Sequence, residues 1–108
     1  RCKGEYESLF ECASVVTDDD LTGQIEKTIR NLLHRFHVLG GAHGMGSEDF
    51  AEITQKVPSA YFMLGAGPAE ENLRLGQHNP KILFSEDVLP LGAAIYAQAA
   101  TDWLEGQK

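Results

Sequence analysis

The run Leu75-Gly76-Gln77-His78-Asn79-Pro80 places one imidazole in a turn-forming stretch between two apolar elements. Glycine, asparagine and proline favour tight turns, so the ring can be directed out of the scaffold at a ligand. A neutral imidazole so placed is a candidate metal ligand at about 2.0–2.1 Å, its second nitrogen held by an acceptor. The plainer reading is a solvated loop histidine. A second group of candidates is Gly46-Ser47-Glu48-Asp49. Ser47 suits a helix N-cap, and Glu48 and Asp49 suit the positive end of a helix dipole. A helix start beneath a glycine-rich loop also presents free backbone N–H groups, which bind anions without a basic side chain. Glu48 and Asp49 occupy adjacent helical positions and do not converge on one metal ion.

Other chemistries find little support. His34 and His37 stand three apart and His43 follows, but His34 falls at the end of a predicted helix, where a cation is favoured for its own sake. A separate zinc site from these three is therefore disfavoured. Neither Gly40-Gly41 nor Gly65-Ala66-Gly67 is followed by the Lys-Ser or Lys-Thr of a phosphate-binding loop. No serine or cysteine carries a nucleophile motif, so no residue is assigned a catalytic role.

Three blocks, Met45-Gly46-Ser47-Glu48-Asp49-Phe50, the His78-Asn79-Pro80 turn, and Phe84 to Ala94, stand in a characteristic order and spacing. Together they resemble the C-terminal end of the hippurate hydrolase and indole-acetyl-amino-acid hydrolase group of dinuclear metallo-amidohydrolases. The resemblance runs from about Val16 to Leu104. It implies that His78 is the last ligand of a site for two divalent metal ions, zinc or manganese. It also implies that the turn at Gly46 and Ser47 borders the substrate pocket, where backbone N–H groups could hold a substrate carboxylate. The family's other metal ligands and its catalytic glutamate lie upstream, and their motifs do not occur in these 108 residues. The chain is thus expected to be a portion of a longer enzyme that hydrolyses N-acyl amino acids or similar conjugates, and to be inactive alone. The resemblance further implies a parent that dimerises through a lid domain, with residues 1–16 as the strand returning from that lid. The rival expectation is a non-catalytic α/β remnant that binds another chain through exposed apolar surface.

Composition narrows the partners. A net charge of −7 with scattered basic residues argues against nucleic acid, which is bound through clustered Lys and Arg. A hydrophobic fraction of 43% with 23% charged residues argues against disorder. No apolar run approaches the ~18–20 residues of a membrane span and no leader pattern opens the chain, so a cytoplasmic location is expected. Cys2 and Cys12 lack Cys-x-x-Cys spacing and read as free thiols.

The elements that must position these groups follow from periodicity. Residues 4–16 read as a strand. The Asp18-Asp19-Asp20 run supplies an N-cap and negative charge for a helix whose apolar positions from Leu21 onward, Ile25, Ile29, Leu32, Leu33 and Phe36, form one stripe. A short strand is expected around Val38-Leu39, then a glycine-rich loop, and a helix from Ser47 to about Lys56 closed by Pro58. Ala60 to Leu64 has the pattern of a strand buried on both faces. Residues 65–80 read as loop. The last helix runs from about Asp87 to Leu104, with Pro90 acceptable only in its first turn. The alternation predicts an α/β layer architecture. The resemblance implies that its helices pack on a mixed sheet and that residues 17–108 are the C-terminal part of a metallopeptidase catalytic domain, incomplete by itself.

Overall fold

Asp18 opens the first helix: its Oδ1 accepts the Leu21 N–H at 2.8 Å and its carbonyl accepts the Thr22 N–H at 2.9 Å. Helix α1 then spans Asp19–Leu32, with Asp19 and Asp20 against the positive end of the dipole and Arg30 in the last turn. Arg30 pairs with Glu26 one turn back, and the Leu33 N–H closes the helix on the Ile29 carbonyl at 2.9 Å. Thr28 and Ile29 are buried, as the predicted stripe requires of Ile29. The computed structural model describes residues 2–8, 11–34, 37–40, 44 and 46–106. Phe36, expected on the same stripe, lies outside them.

The other long helix is α3, Leu89–Gly106, entered from a 3-10 turn at Glu86–Val88. Pro90 falls in its first turn, where a missing N–H costs nothing. α1 packs on α3, and the Thr28 hydroxyl donates to Asp102 across that contact. Between them in sequence comes α2, a single turn at Ala51–Thr54.

Three sequence expectations are corrected here. No strand occurs among the described residues, so the predicted α/β fold with a mixed sheet is replaced by helices joined by irregular segments. Residues 11–16 are held to the α2 region by side-chain bonds instead of a ladder: Val16 N–H donates to Thr54 Oγ1 at 3.3 Å, and Gln55 Nε2 to the Ser14 carbonyl at 3.1 Å. Val38-Leu39 is likewise not a strand, with Leu39 exposed. The run 60–64, expected to be buried on both faces, exposes Tyr61, Phe62, Met63 and Leu64. The physical reason is common to all three. A strand needs partner strands for its N–H and C=O groups, and none of these segments has one among the described residues.

The scarcity of core has the same origin. Ile29 and Ala51 are the buried apolar residues among those described, and none of the residues described in α3 is buried. The accessible surface is 9740 Å², against about 5,900 Å² expected for a compact 11.8 kDa monomer. The radius of gyration is 18.0 Å, against about 13 Å for a compact domain of this length. The principal extents are 62 × 43 × 20 Å, and large apolar side chains lie uncovered, Leu89 at 67% and Tyr96 at 83% exposure on α3 among them.

Candidate functional site

His78 stands at the tip of a hydrogen-bonded turn. The Asn79 N–H donates to the Gly76 carbonyl at 3.3 Å, and Asn79 Oδ1 accepts the Lys81 N–H at 2.9 Å, so the asparagine locks the exit of the turn. His78 itself has φ 68°, in the left-handed region that L-residues adopt at a cost of about 1–2 kcal/mol. It shows this conformation alone among the described non-glycine residues. The residue is exposed. One imidazole fits one ligand position and not a complete metal site. No group of three or more histidine, cysteine or acidic residues able to hold a metal occurs among the described residues. His34 and His37 are exposed and belong to no such group, and His43 lies outside the described residues.

Gly46 and Ser47 are both exposed, and a Cβ built on Gly46 would meet nothing within 4 Å. The predicted capping role of Ser47 is corrected. α2 starts at Ala51, its N-cap position is Phe50, and no side chain caps it there. Glu48 takes over the local hydrogen bonding instead. Its Oε1 accepts the Phe50 N–H at 3.2 Å, and its carbonyl accepts the Ala51 N–H at 3.1 Å and the Cys12 thiol at 3.4 Å. Its second carboxylate oxygen accepts the Tyr61 hydroxyl at 2.9 Å. The Tyr61 ring in turn packs on Phe50, centroids 5.7 Å apart and planes tilted by 40°.

Electrostatics follow these bonds. The Phe50 N–H, and then the Tyr61 hydroxyl, hold the Glu48 carboxyl below its ordinary range, because both favour the anion. Tyr61 is pushed above the ordinary tyrosine value by the carboxylate it donates to. A groove of about 430 Å³ opens beside the pair, bordered by Phe50, Ile53, Phe62 and Tyr96. His78 is not among its lining residues. Tyr61 is the residue that sequence reasoning missed, having been read as strand core. The available signal was a hydroxyl within an otherwise apolar run, since a tyrosine there needs a hydrogen-bond partner.

Among the described residues, His78 stands exposed on a strained turn and many large apolar side chains lie uncovered. The chain belongs to peptidase family M20/M25/M40, whose pattern matches residues 3–102. It is 38% identical over 90 residues to IAA-amino acid hydrolase ILR1-like 2 of Arabidopsis thaliana, covering 83% of this chain and 20% of that protein. It is 31% identical over 97 residues to the putative amidohydrolase YhaA of Bacillus subtilis (strain 168), covering 88% of this chain and 24% of that protein. A shorter stretch of 56 residues is 39% identical to thermostable carboxypeptidase 1 of Saccharolobus solfataricus, covering 52% of this chain and 14% of that protein. The chain thus spans about a fifth of the length of the curated relatives matched over most of its own length. No solved structure matches it. No helix among the described residues is long and apolar enough to cross a membrane.

Proposed function

We propose that this chain is the C-terminal part of a metal-dependent amidohydrolase that cleaves the amide bond of N-acyl amino acids or similar peptide-like conjugates. Residues 17–108 complete its catalytic domain, and residues 1–16 return from a lid domain through which the parent dimerises. When bound, a pair of divalent ions, zinc or manganese, supplies a water nucleophile and polarises the scissile carbonyl. His78 contributes one ligand to that pair. Gly46 and Ser47 border the substrate pocket and contribute backbone N–H groups to the substrate carboxylate.

The observation that carries this reading is the pairing of family membership with a strained, exposed His78. Backbone strain at one histidine is retained where surrounding structure or function requires that direction of the ring. The large uncovered surface supports the second half of the reading, that the rest of the catalytic unit covers this layer.

The test joins this chain to the upstream four-fifths of the family's domain and measures release of the free amino acid from N-acyl amino acids. Hydrolysis by the joined protein and none by the 108-residue chain, each with added zinc or manganese, is the expected result. A joined protein that folds and binds metal but leaves every N-acyl amino acid intact would overturn the substrate class. It would favour the non-catalytic interaction module.

A further inference from the structure

We infer that Arg74 is a positioning residue: its guanidinium ties the long loop 66–85 together, so that the turn carrying His78 is held in the conformation that binds a metal ion. The inference rests on the reading of His78 as a metal ligand given above.

The loop is closed at its neck by a backbone bond, the Ser85 N–H donating to the Ala66 carbonyl at 2.8 Å. Between those ends its regular structure is one 3-10 turn, Glu71–Leu73, with no buried residue. Loops of this length with so little structure of their own are uncommon in compact domains and are usually functional or disordered. Burial does not shape this one, since Leu73 and Leu75 are each 40% exposed and Leu83 is 52% exposed. Hydrogen bonds do. Arg74 supplies the pair that crosses the loop: its Nε donates to the Pro68 carbonyl at 2.9 Å and its Nη2 to the Ala69 carbonyl at 3.0 Å, a planar fork on two successive carbonyls. The stem of the side chain lies along Gly67, where a Cβ would sit 3.6 Å from Arg74 Cγ. Glu71, its carboxylate 3.9 Å from Nη1 and its side chain 90% exposed, adds little.

The path from that fork to the imidazole is short. The Arg74 N–H closes the 3-10 turn on the Glu71 carbonyl at 3.1 Å, and two residues further on the Gly76 carbonyl accepts the Asn79 N–H at 3.3 Å, across His78. Beyond it the Asn79 carbonyl accepts the Ile82 N–H at 3.0 Å, three residues before the neck. A left-handed histidine costs about as much as one hydrogen bond contributes net, and the bond that spans this turn is long. The turn therefore does not decide its own conformation. A strained φ of 68° persists where the surroundings over-determine it, and the fork on one side and the neck on the other supply that restraint. Arg74 thus acts on His78 through the backbone.

The experiment measures zinc affinity, by competition with a chelator, in the enzyme that carries this chain and in its variants Arg74→Met, Arg74→Lys, His78→Gly and the double variant of Arg74→Met with His78→Gly. Arg74→Met keeps a stem against Gly67 and removes both donors. It should weaken zinc binding roughly three- to tenfold, the range of a lost hydrogen bond. Arg74→Lys returns a single charged donor and should recover part of that loss. The groups that Arg74 bonds all lie in its own loop, so the melting temperature of the metal-free enzyme should stay as in wild type. His78→Gly should weaken zinc binding further, and adding Arg74→Met to it should change nothing more, because a residue that acts through His78 has no effect once the ligand is gone. Wild-type zinc affinity in Arg74→Met, beside a weakened His78→Gly, overturns the inference and leaves His78 a ligand. A loss from Arg74→Met that is as large without His78 as with it also overturns the inference, as does a lower metal-free melting temperature with unchanged affinity. Wild-type zinc affinity in His78→Gly would instead remove His78 from the metal site, and the role of Arg74 with it.

Discussion

The buried hydroxyl of Thr28 donates to the carboxylate of Asp102, tying the middle of α1 to the end of α3 across 74 residues of sequence. Gln98 Nε2 donates to the other Asp102 oxygen at 2.7 Å, so both oxygens of one carboxylate are occupied. Together these bonds, Thr28 first, hold Asp102 below the ordinary carboxylate range.

Thr28→Val keeps the shape of the buried side chain and removes the donor. The Asp102 carboxyl should then titrate closer to the ordinary aspartate value, a rise measurable by carboxyl NMR. The sign follows from the lowered folded-state value. The stability contributed by Asp102 is fully present above the unfolded-state pKa and is lost as pH falls through the folded one. In Thr28→Val that acid-dependent loss should shrink. An Asp102 titration identical in wild type and variant would show that the Thr28 bond is absent in solution.

His78→Ala and His78→Gly separate a metal ligand from a turn residue. Glycine adopts φ 68° without the penalty that an L-residue bears, so His78→Gly should fold at least as well as wild type, whereas His78→Ala retains the strain. Both variants in the full enzyme should lose metal and at least about a hundredfold of turnover. A His78→Gly enzyme with wild-type metal content and rate would reduce His78 to a turn former.

Gly46→Val adds a branched side chain into open space, since no protein atom lies within 4 Å of its Cβ position. Folding should therefore be little changed. Turnover of carboxylate-bearing substrates should fall roughly tenfold or more at constant metal occupancy, because displacement of a bound group by a fraction of an ångström has that scale of effect. Unaltered kinetics would remove Gly46 from the pocket.

The 108-residue chain by itself should bind a hydrophobic dye or self-associate. Leu89, Tyr96, Phe84 and Met63 are exposed together with most of the remaining large apolar side chains, far beyond what a soluble monomer presents. Sedimentation and dye fluorescence check this. A monodisperse, dye-negative monomer would mean that these residues cover themselves in solution.

Much of the local structure was legible in the residues. A cap from the run Asp18-Asp19-Asp20, the place of α1, Pro90 in the first turn of α3 and the turn at His78 all depend on hydrogen bonds that span three or four positions, and such bonds are written in adjacent side chains. Family membership was legible too, because it rests on the order of three short blocks. The sheet was misread for the complementary reason. The apolar run 60–64 has the composition of a buried strand, but burial and pairing depend on segments far away in sequence, and among the described residues none pairs with it. Tertiary structure alone decided that Glu48 and not Ser47 organises the start of α2, that Tyr61 turns its hydroxyl to that carboxylate, and that Thr28 meets Asp102. Each of these contacts joins groups whose separation along the chain carries no periodic signal, so only the packing of one segment against another could choose the partner.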